Sequence, residues 1–467
     1  MSFPAMFVDC PFLIQLFSFL CVLLPAFGMA CACGKCGEDG EEPEYTETEA
    51  KIAELAQAES RSEEKDWELV HLYALLASQK QEYDELDDAL SAYDNAIGLL
   101  TKFSDLRTDD SKSRLFGELL SARGRLKAEE EDFDNALSDM AKAKEALTAL
   151  AEKHDGDAMY EIACIQLMRG RIYHELGEYE KATEALDDAF LRFRALEKIS
   201  DLSDTRLDMA IVSQAMASLC REIDEPLEKV VDLYDRTMRL LVELIDIGQM
   251  EHEQFLAETL IDKCTARFEA YMRQEFSSDA ERREKFDAVL LDIERGVSIL
   301  RRLAEQEDAP YYLYPALMVQ GAMLLELGQA EKALKIFDEL LAMHGDEEQF
   351  EEIDELYQYA TVLENRGIAL FQLNRNEESL EAFDKASSLL HCLDGEELDE
   401  EERFDYAVAL ISIMLNRSEI FQAKGDKEAV RRDIEEAKKL VEPFAKNFPD
   451  EVKDILAQID SILAAST

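Results

Sequence analysis

From Trp67 onward, apolar residues recur at three- and four-residue spacing almost without interruption. This is the pattern of helices that each bury one face. Gly and Pro, with 18 and 9 residues of 467, are scarce, and good helix formers dominate the composition. A chain of this length exceeds one ordinary hydrophobic core. The sequence therefore predicts an all-α protein that is built from several domains or from a repeated unit.

A second pattern repeats at a longer distance. Each copy has a small residue, an apolar residue four positions later and another small residue three positions after that, as in Ala182, Leu186 and Ala189. Eight copies follow one another in steps of 44 to 51 residues, with one step of 59. The longest step contains the segment 277–283, where we expect a longer turn. A fixed period of this size indicates a helical repeat array. Residues that define the copies include Gly124, Gly170, Tyr173, Gly177, Ala182, Ala189, Gly321, Gly328, Ala333, Gly367, Phe383 and Ala386.

The small residues have a steric reason. Two helices approach closely only where one presents Gly or Ala, so a small residue twelve positions before each copy, such as Gly170, is expected to face the small residues of the next helix. The large residue between them is expected to fill the space against the next hairpin. Gly177, Gly328 and Gly425 are expected to end helices in the left-handed region of backbone space.

These units resemble tetratricopeptide repeats, whose signature has Gly or Ala at the eighth position and an aromatic residue at the eleventh. The resemblance spans about residues 67 to 445 and is strongest in the third, sixth and seventh units. It implies a right-handed superhelical solenoid of about eight helical hairpins, with a C-terminal capping helix that begins at Pro449. The family's usual unit is about 34 residues, so this chain is identified as a long-helix variant. Length alone suits HEAT-like repeats equally well, but the small-large-small spacing favours the tetratricopeptide form.

The amino-terminal segment is strongly apolar. No charged residue lies between Cys10 and Gly34, which is typical of a signal peptide or a membrane span. The absence of Lys or Arg before Lys35 departs from a usual signal peptide. We expect export to the periplasm or the outside of the cell, with a retained membrane helix or a cytoplasmic protein as the alternative. The predicted domains are a signal peptide or anchor at 1–32, an acidic linker at 33–63, the repeat domain at 64–448 and the capping helix at 449–467.

Three cysteines, Cys31, Cys33 and Cys36, follow the apolar segment closely. Cys31 is a candidate for lipid attachment after cleavage, and two of the three could pair in an oxidising compartment. No His or fourth Cys lies nearby to complete a tetrahedral metal site, so no metal is predicted.

Charge and motifs narrow the possible functions. The net charge of −53 argues against nucleic acid, which needs clustered Lys and Arg, and against anionic lipid surfaces. The acidity has two interpretations. The carboxylates could form an acidic groove for basic partners, or they could mainly solvate a large surface; we favour the second interpretation. His252-Glu253 lacks the second His of a zinc protease motif, and the sequence contains no phosphate-binding Gly-rich loop. The prediction is a non-enzymatic protein without a cofactor.

The resemblance also implies a binding groove. In this family the first helices of successive hairpins line a concave surface through their second, fifth, ninth and twelfth positions. The partner is then an unidentified protein or peptide whose extended or helical segment lies on the apolar half. Alternatively, longer helices shift the packing and these residues are core; the chain would then be a self-associating solenoid or a module of a larger complex. The groove candidates are Arg125, Arg171 and His174 in the first half, and Met318, Leu325, Ile368 and Phe371 in the second half.

Overall fold

The computed structural model describes helices and turns, and no strand, in the ranges that it covers. The all-α prediction is therefore confirmed for the described chain. The segment 1–32, together with Cys31, Cys33 and Cys36, lies outside those ranges. The described ranges are residues 45–57, 61–197, 205–274, 276–304, 312–343, 353–391, 398 and 400–466.

The chain divides into two compact units, with the boundary between His252 and Glu253. We call the described residues before it the N-terminal unit. Its helices are α1 (Tyr45–Ala56), α2 (Glu63–Glu82), α3 (Leu86–Leu100), α4 (Asp110–Glu129), α5 (Phe133–Glu152), α6 (Gly156–Glu175), α7 (Tyr179–Leu196), α8 (Arg206–Glu222) and α9 (Leu227–Asp246), followed by a 3-10 turn at Met250–His252.

The C-terminal unit begins at Glu253. Its helices are α10 (Glu253–Arg273), α11 (Asp279–Ala304), α12 (Leu313–Glu326), α13 (Ala330–Met343), α14 (Ile353–Gln372), α15 (Asn376–His391), α16 (Glu400–Lys424), α17 (Lys427–Val441) and α18 (Pro449–Ser466), with a 3-10 turn at Glu442–Phe444 before α18.

Helices pair in the order that the repeat predicts. Each even-numbered helix from α2 to α16 packs along the helix that follows it, which gives the eight expected hairpins, four in each unit. Within a unit, the second helix of one hairpin also contacts the first helix of the next hairpin. The helix α1, inside the segment 33–63, packs on α2, and α18 begins at Pro449 and packs on α17.

Helix ends follow local chemistry. Gly177, Gly328 and Gly425 have φ values of 67°, 66° and 75° in the turns that close three hairpins, as the sequence predicts. Asp155 begins α6, because its side chain accepts a hydrogen bond of 3.0 Å from the backbone N–H of Ala158, which satisfies one of the unpaired donors at a helix start.

The interior of the hairpins corrects one expectation. A methyl group added at Gly367 would lie 2.7 Å from the ring of Phe383, and one at Gly321 would lie 2.6 Å from the ring of Phe337. The expectation was that the large residue fills the space against the next hairpin. Instead, it packs on the glycine of its own hairpin. The reason is helical geometry, since residues four apart share a face; Ser379, one turn before Phe383, donates to the carbonyl of Gly367 at 2.7 Å.

The fifth hairpin accounts for the 59-residue step. The sequence favoured a longer turn at 277–283, but α11 begins at Asp279 and runs for 26 residues. Ser278 accepts a hydrogen bond of 3.2 Å from the backbone N–H of Glu281, so this segment starts a helix. The extra length lies in the helices of this hairpin.

Candidate functional site

The candidate residues lie on two separate faces, one in each unit. The N-terminal face consists of Arg125 on α4 and of Leu167, Arg171 and His174 on α6. The C-terminal face consists of the corresponding positions of α12 and α14, which are Met318, Ala322, Leu325, Glu364, Ile368 and Phe371.

Arg125 is the most accessible cation of the N-terminal face, with 40% of its side chain exposed. Its Nη1 lies 3.1 Å from Oε1 of Glu161, a residue of the next hairpin. Nη1 also lies 3.4 Å from the hydroxyl oxygen of Ser121, one helical turn earlier. Arg125 thus already has a carboxylate partner, although part of its guanidinium surface stays open to solvent.

Arg171 lies on α6 in a partly buried position. Burial lowers the pKa of its guanidinium from the usual value, and no neighbouring charge contributes to that shift. Among the described residues no carboxylate lies within ion-pair distance of it. A desolvated cation without a counter-charge favours an anionic group brought by a ligand.

His174 is engaged within the protein. Its Nε2 contacts a carboxylate oxygen of Glu222 on α8, and the hydroxyl of Tyr179 donates to the same carboxylate at 2.6 Å. These contacts join the third and fourth hairpins. His174 therefore helps to position neighbouring helices, and the ligand-facing role predicted for it stays a prediction.

The apolar candidates of the C-terminal face are mostly buried. Met318 is 3% exposed, Leu325 is 7% exposed and Ile368 is 9% exposed. Phe371 is partly exposed. The placement of the first three agrees with the interpretation that treats them as core residues, which the sequence left open beside the groove interpretation.

Burial around α12 extends to its whole circumference. Ten consecutive residues, Ala316 to Leu325, are buried. A helix has about 3.6 residues per turn, so this run covers every side of it. A helix that is apolar on all sides needs a cover on all sides.

Glu364 is the ionisable residue of the C-terminal face. It is 4% exposed and accepts hydrogen bonds from the hydroxyl of Ser412 and, at 2.9 Å, from Nδ2 of Asn416. Burial raises the pKa of this carboxyl to about 7, and the two hydrogen bonds oppose the shift in part. The face therefore changes its charge near neutral pH.

Arginine bridges between hairpins were not predicted. Arg417 on α16 donates at 2.7 Å to Asp433 of its own hairpin and at 2.7 Å to Asp384 of the preceding one. Arg123 bridges Asp139 and Asp94 in the same way. The sequence does contain a signal for these bridges. In the copies involved, an Asp lies either three or five residues after the first small residue. Each bridge joins the second helices of two successive hairpins through the first helix that lies between them.

Metal-binding clusters and reactive thiols are two kinds of chemical site that the described residues could provide. These residues contain no group of three or more His, Cys, Asp or Glu side chains arranged to hold a metal ion. Burial raises the pKa of the Cys164 and Cys264 thiols to about 12, and thiols of this kind are poor nucleophiles. Among the helices in the described ranges, none combines the length and apolarity that crossing a bilayer requires.

The chain is similar to known proteins both in a short segment of its sequence and in its structure. Residues 165–192, which include most of the third hairpin's contact region, match the family model of the tetratricopeptide repeat. A comparison of the sequence with curated proteins finds no match.

Solved structures that resemble the chain include a signal-transduction ATPase with a tetratricopeptide repeat sensor from Pyrococcus horikoshii. It is 16% identical, with 88% of this chain and 51% of that chain covered and a TM-score of 0.47. The apo form of the quorum sensor NprR from B. thuringiensis is 13% identical over 89% of this chain and 99% of that chain, with a TM-score of 0.42.

A tetratricopeptide repeat protein from Parabacteroides merdae is 13% identical over 73% of this chain and 98% of that chain, with a TM-score of 0.35. The match at 165–192 supports the resemblance on which the hairpins were predicted. The chain thus carries one segment that matches the tetratricopeptide repeat, within a series of helical hairpins that resemble that repeat.

Proposed function

We propose that this chain is a non-enzymatic scaffold that binds a helical segment of a partner protein on the C-terminal face. The observation that carries the proposal is the apolar character of α12 on all sides. An interior helix of a repeat array needs apolar residues only where neighbouring helices contact it. The apolar residues of α12 are buried, but Phe371 on α14, which contacts α12, is partly exposed, so a partner segment that is itself apolar would pack at that edge of the face.

The N-terminal face supports a second contact of opposite chemistry. Arg125 and Arg171 are cations in a chain of net charge −53, and Arg171 has no carboxylate partner among the described residues. A carboxylate is the group of the partner that would bind there most favourably, because charge-assisted hydrogen bonds to Arg are strong where water is excluded.

We further propose that the protein acts outside the cytoplasm, in the cell envelope or beyond it. The support is the uncharged run from Cys10 to Gly34, which ends in the small residues around Cys31. An intact-mass measurement of protein isolated from its cells tests this. A mature chain that starts between Ala26 and Lys35 is expected, and a chain that keeps its first 25 residues or starts after Lys35 would contradict cleavage there.

The binding proposal is tested by mass spectrometry of proteins that co-purify with the chain. Phe371→Glu places a charge on the partly exposed edge of the C-terminal face. Leu291→Glu is the matched control, because Leu291 is 61% exposed on α11, away from the face. We expect a defined set of partners that is lost in Phe371→Glu and kept in the control.

Two results would contradict the scaffold. One is turnover of a substrate panel by the purified chain, which would make it an enzyme. The other is a stable dimer in light scattering that Phe371→Glu dissolves, since the face would then serve self-association.

A further inference from the structure

We propose that Lys144, Arg169 and Arg192 form a site that binds one carboxylate group of a ligand. The three residues lie on α5, α6 and α7, in the second and third hairpins of the N-terminal unit. They belong neither to the N-terminal face nor to the C-terminal face. The inference therefore goes beyond the proposed function and does not rest on it.

The first observation comes from equivalent arginines of different hairpins. Four hairpins have an arginine directly before the small residue of their first helix, namely Arg123, Arg169, Arg366 and Arg417. Arg123 and Arg417 each bond two Asp side chains, one of their own hairpin and one of the preceding hairpin. Arg366 bonds Asp338 of the preceding hairpin at 2.7 Å. In these three hairpins the arginine has a carboxylate partner.

Arg169 in the third hairpin differs from the other three. Ala185 stands three residues after the first small residue of its own copy, and Ala141 stands five residues after that of the preceding copy. Both places that hold Asp in the bridges of Arg123 are therefore occupied by alanine. Among the described residues, no carboxylate lies within ion-pair distance of Arg169.

The hydrogen bonds of Arg169 leave one donor over. Its Nη1 donates to Oε1 of Gln166 at 2.8 Å, and its Nη2 donates to the hydroxyl of Tyr173 at 3.1 Å. Its Nε is buried and has no hydrogen-bond partner. Nε is the atom through which Arg123 and Arg417 bond the Asp of their own hairpin. Because a guanidinium stays charged, a buried donor of this kind is costly until an acceptor satisfies it.

The second observation is that two more cations lie close by. Nε of Arg192 donates to Oδ1 of Asp188 at 2.8 Å, and Nζ of Lys144 lies 3.7 Å from Oδ2 of the same carboxylate. Burial lowers the pKa of Lys144, and the positive charges of Arg192 and Arg169 lower it further. The negative charge of Asp188 opposes this shift. In the part of the chain that the structure describes, the three cations have one carboxylate within ion-pair distance, in a protein of net charge −53.

The site is accessible from solvent. The side chains of Lys144 and Arg192 are 32% and 36% exposed, and Ala141 is exposed as well. The Asp residues that occupy the place of Ala141 in other hairpins have more than half of their side chains exposed, as Asp94, Asp338 and Asp384 show. A carboxylate of a ligand can therefore reach the place where this Asp is missing.

The chemistry favours one carboxylate over a polyanion. The planar guanidinium matches a carboxylate in shape, and the other hairpins show that an Asp side chain fits this arginine. Three cations with one carboxylate attract a single anion at short range. The negative charge of the whole chain repels a ligand with many negative charges.

NMR of the arginine side chains in the full chain tests the site. The probes are N-acetylaspartate N-methylamide, which represents the side chain of a bound protein segment, and succinate, which represents a small free carboxylate. The Nε–Hε signal of Arg169 is expected to shift saturably with at least one of them, with a Kd on the order of 1–10 mM, as a few charge-assisted hydrogen bonds allow. The probe that binds more tightly identifies the source of the carboxylate.

The controls are chosen to separate binding from charge screening. N-acetylasparagine N-methylamide lacks the carboxylate and is expected to cause no shift, as is NaCl at equal ionic strength. A shift without saturation for both carboxylates would overturn the proposal. So would inorganic phosphate that binds at least tenfold more tightly than either carboxylate, because the site would then be a phosphate site.

A variant that supplies the missing Asp gives a second readout. Ala141→Asp is expected to bond Arg169 from within the chain and to raise the Kd of the tighter probe at least tenfold. Ala149→Asp adds the same charge at another exposed position of α5 and is expected to leave the Kd within about twofold. Equal Kd values for wild type and Ala141→Asp would overturn the proposal.

Discussion

Glu364 shows how a single residue sets the character of the C-terminal face. Its carboxyl is buried among apolar helices, and two hydrogen bonds from Ser412 and Asn416 stabilise the charged form only in part. Burial therefore raises the pKa to about 7. A buried group of this kind favours protonation in the folded chain over the unfolded chain.

The raised pKa predicts a pH-dependent effect of Glu364→Gln. Between pH 4.5 and about 7 the folded chain holds a proton that the unfolded chain releases, so the wild type loses stability as the pH rises through this window. The variant lacks this loss. We expect it to match the wild type near pH 4.5 and to be more stable by about 3 kcal/mol at pH 8.

Urea unfolding at several pH values measures this difference. Glu381→Gln, at an exposed position of α15, is the control and is expected to show no such trend. A constant difference between Glu364→Gln and wild type from pH 4.5 to 8 would refute the account of Glu364.

Gly367 is the second residue whose substitution is expected to change the stability of the chain. A methyl group there meets the ring of Phe383 at 2.7 Å, whereas one at Gly98 meets nothing within 4 Å. Gly367→Ala is expected to destabilise the chain by about 1–3 kcal/mol through overpacking. Gly98→Ala, in α3, is expected to stabilise it by up to about 1 kcal/mol through helix propensity. Thermal unfolding of the two variants measures both changes in stability. Equal changes would show that the contact with Phe383 is not tight.

At the scale of the elements, the turns inside the hairpins share one backbone conformation but not one residue. Gly177 and Gly328 have positive φ, and so do Asp84, Glu131 and Asn374 in the equivalent turns of other hairpins. Glycine adopts this conformation freely, while other residues are strained in it. The turn geometry is therefore set by the hairpin, and glycine only makes it easier.

This predicts that Glu131→Gly stabilises the second hairpin by about 0.5–1 kcal/mol, the relief of strain less the extra entropy of glycine in the unfolded chain. Its neighbour Glu130 has φ of −89°, so Glu130→Gly is expected to destabilise. Chemical denaturation of both variants provides the test. A loss of stability in Glu131→Gly would mean that its side chain makes contacts that outweigh the strain.

The elements also show what a sequence can and cannot predict. The eight hairpins were predictable, because close helix packing requires small residues at fixed spacing, as with Gly170 and Ala182. The start of α11 at Asp279 was missed, because Ser278 acts as a cap only through its local geometry. The bridges of Arg417 join it to residues 16 and 33 positions away, which a local pattern does not report.

For the whole molecule, charge is the dominant property. The chain has 103 acidic and 50 basic residues, so at least 53 acidic residues have no basic residue to balance them. Long-range repulsion of this kind destabilises the compact state and is screened by salt. The acidity thus keeps the chain soluble at a cost in stability.

Raising NaCl from 0.01 to 0.5 M is accordingly expected to increase the stability by on the order of 1 kcal/mol, which corresponds to about 2–4 °C in Tm for a unit of this size. Differential scanning calorimetry with NaCl and KCl at equal ionic strength separates screening from specific ion binding. A Tm that falls with both salts would show that the ion pairs of the chain outweigh its repulsion.

The central claim is that the C-terminal face binds a helical segment of a partner. Its most direct test is a binding isotherm of the co-purified partner's segment with wild type, Phe371→Glu and Leu291→Glu. The account predicts that Kd rises at least about tenfold, or about 1.4 kcal/mol, for Phe371→Glu and stays unchanged for Leu291→Glu. Equal affinities for all three chains would contradict it.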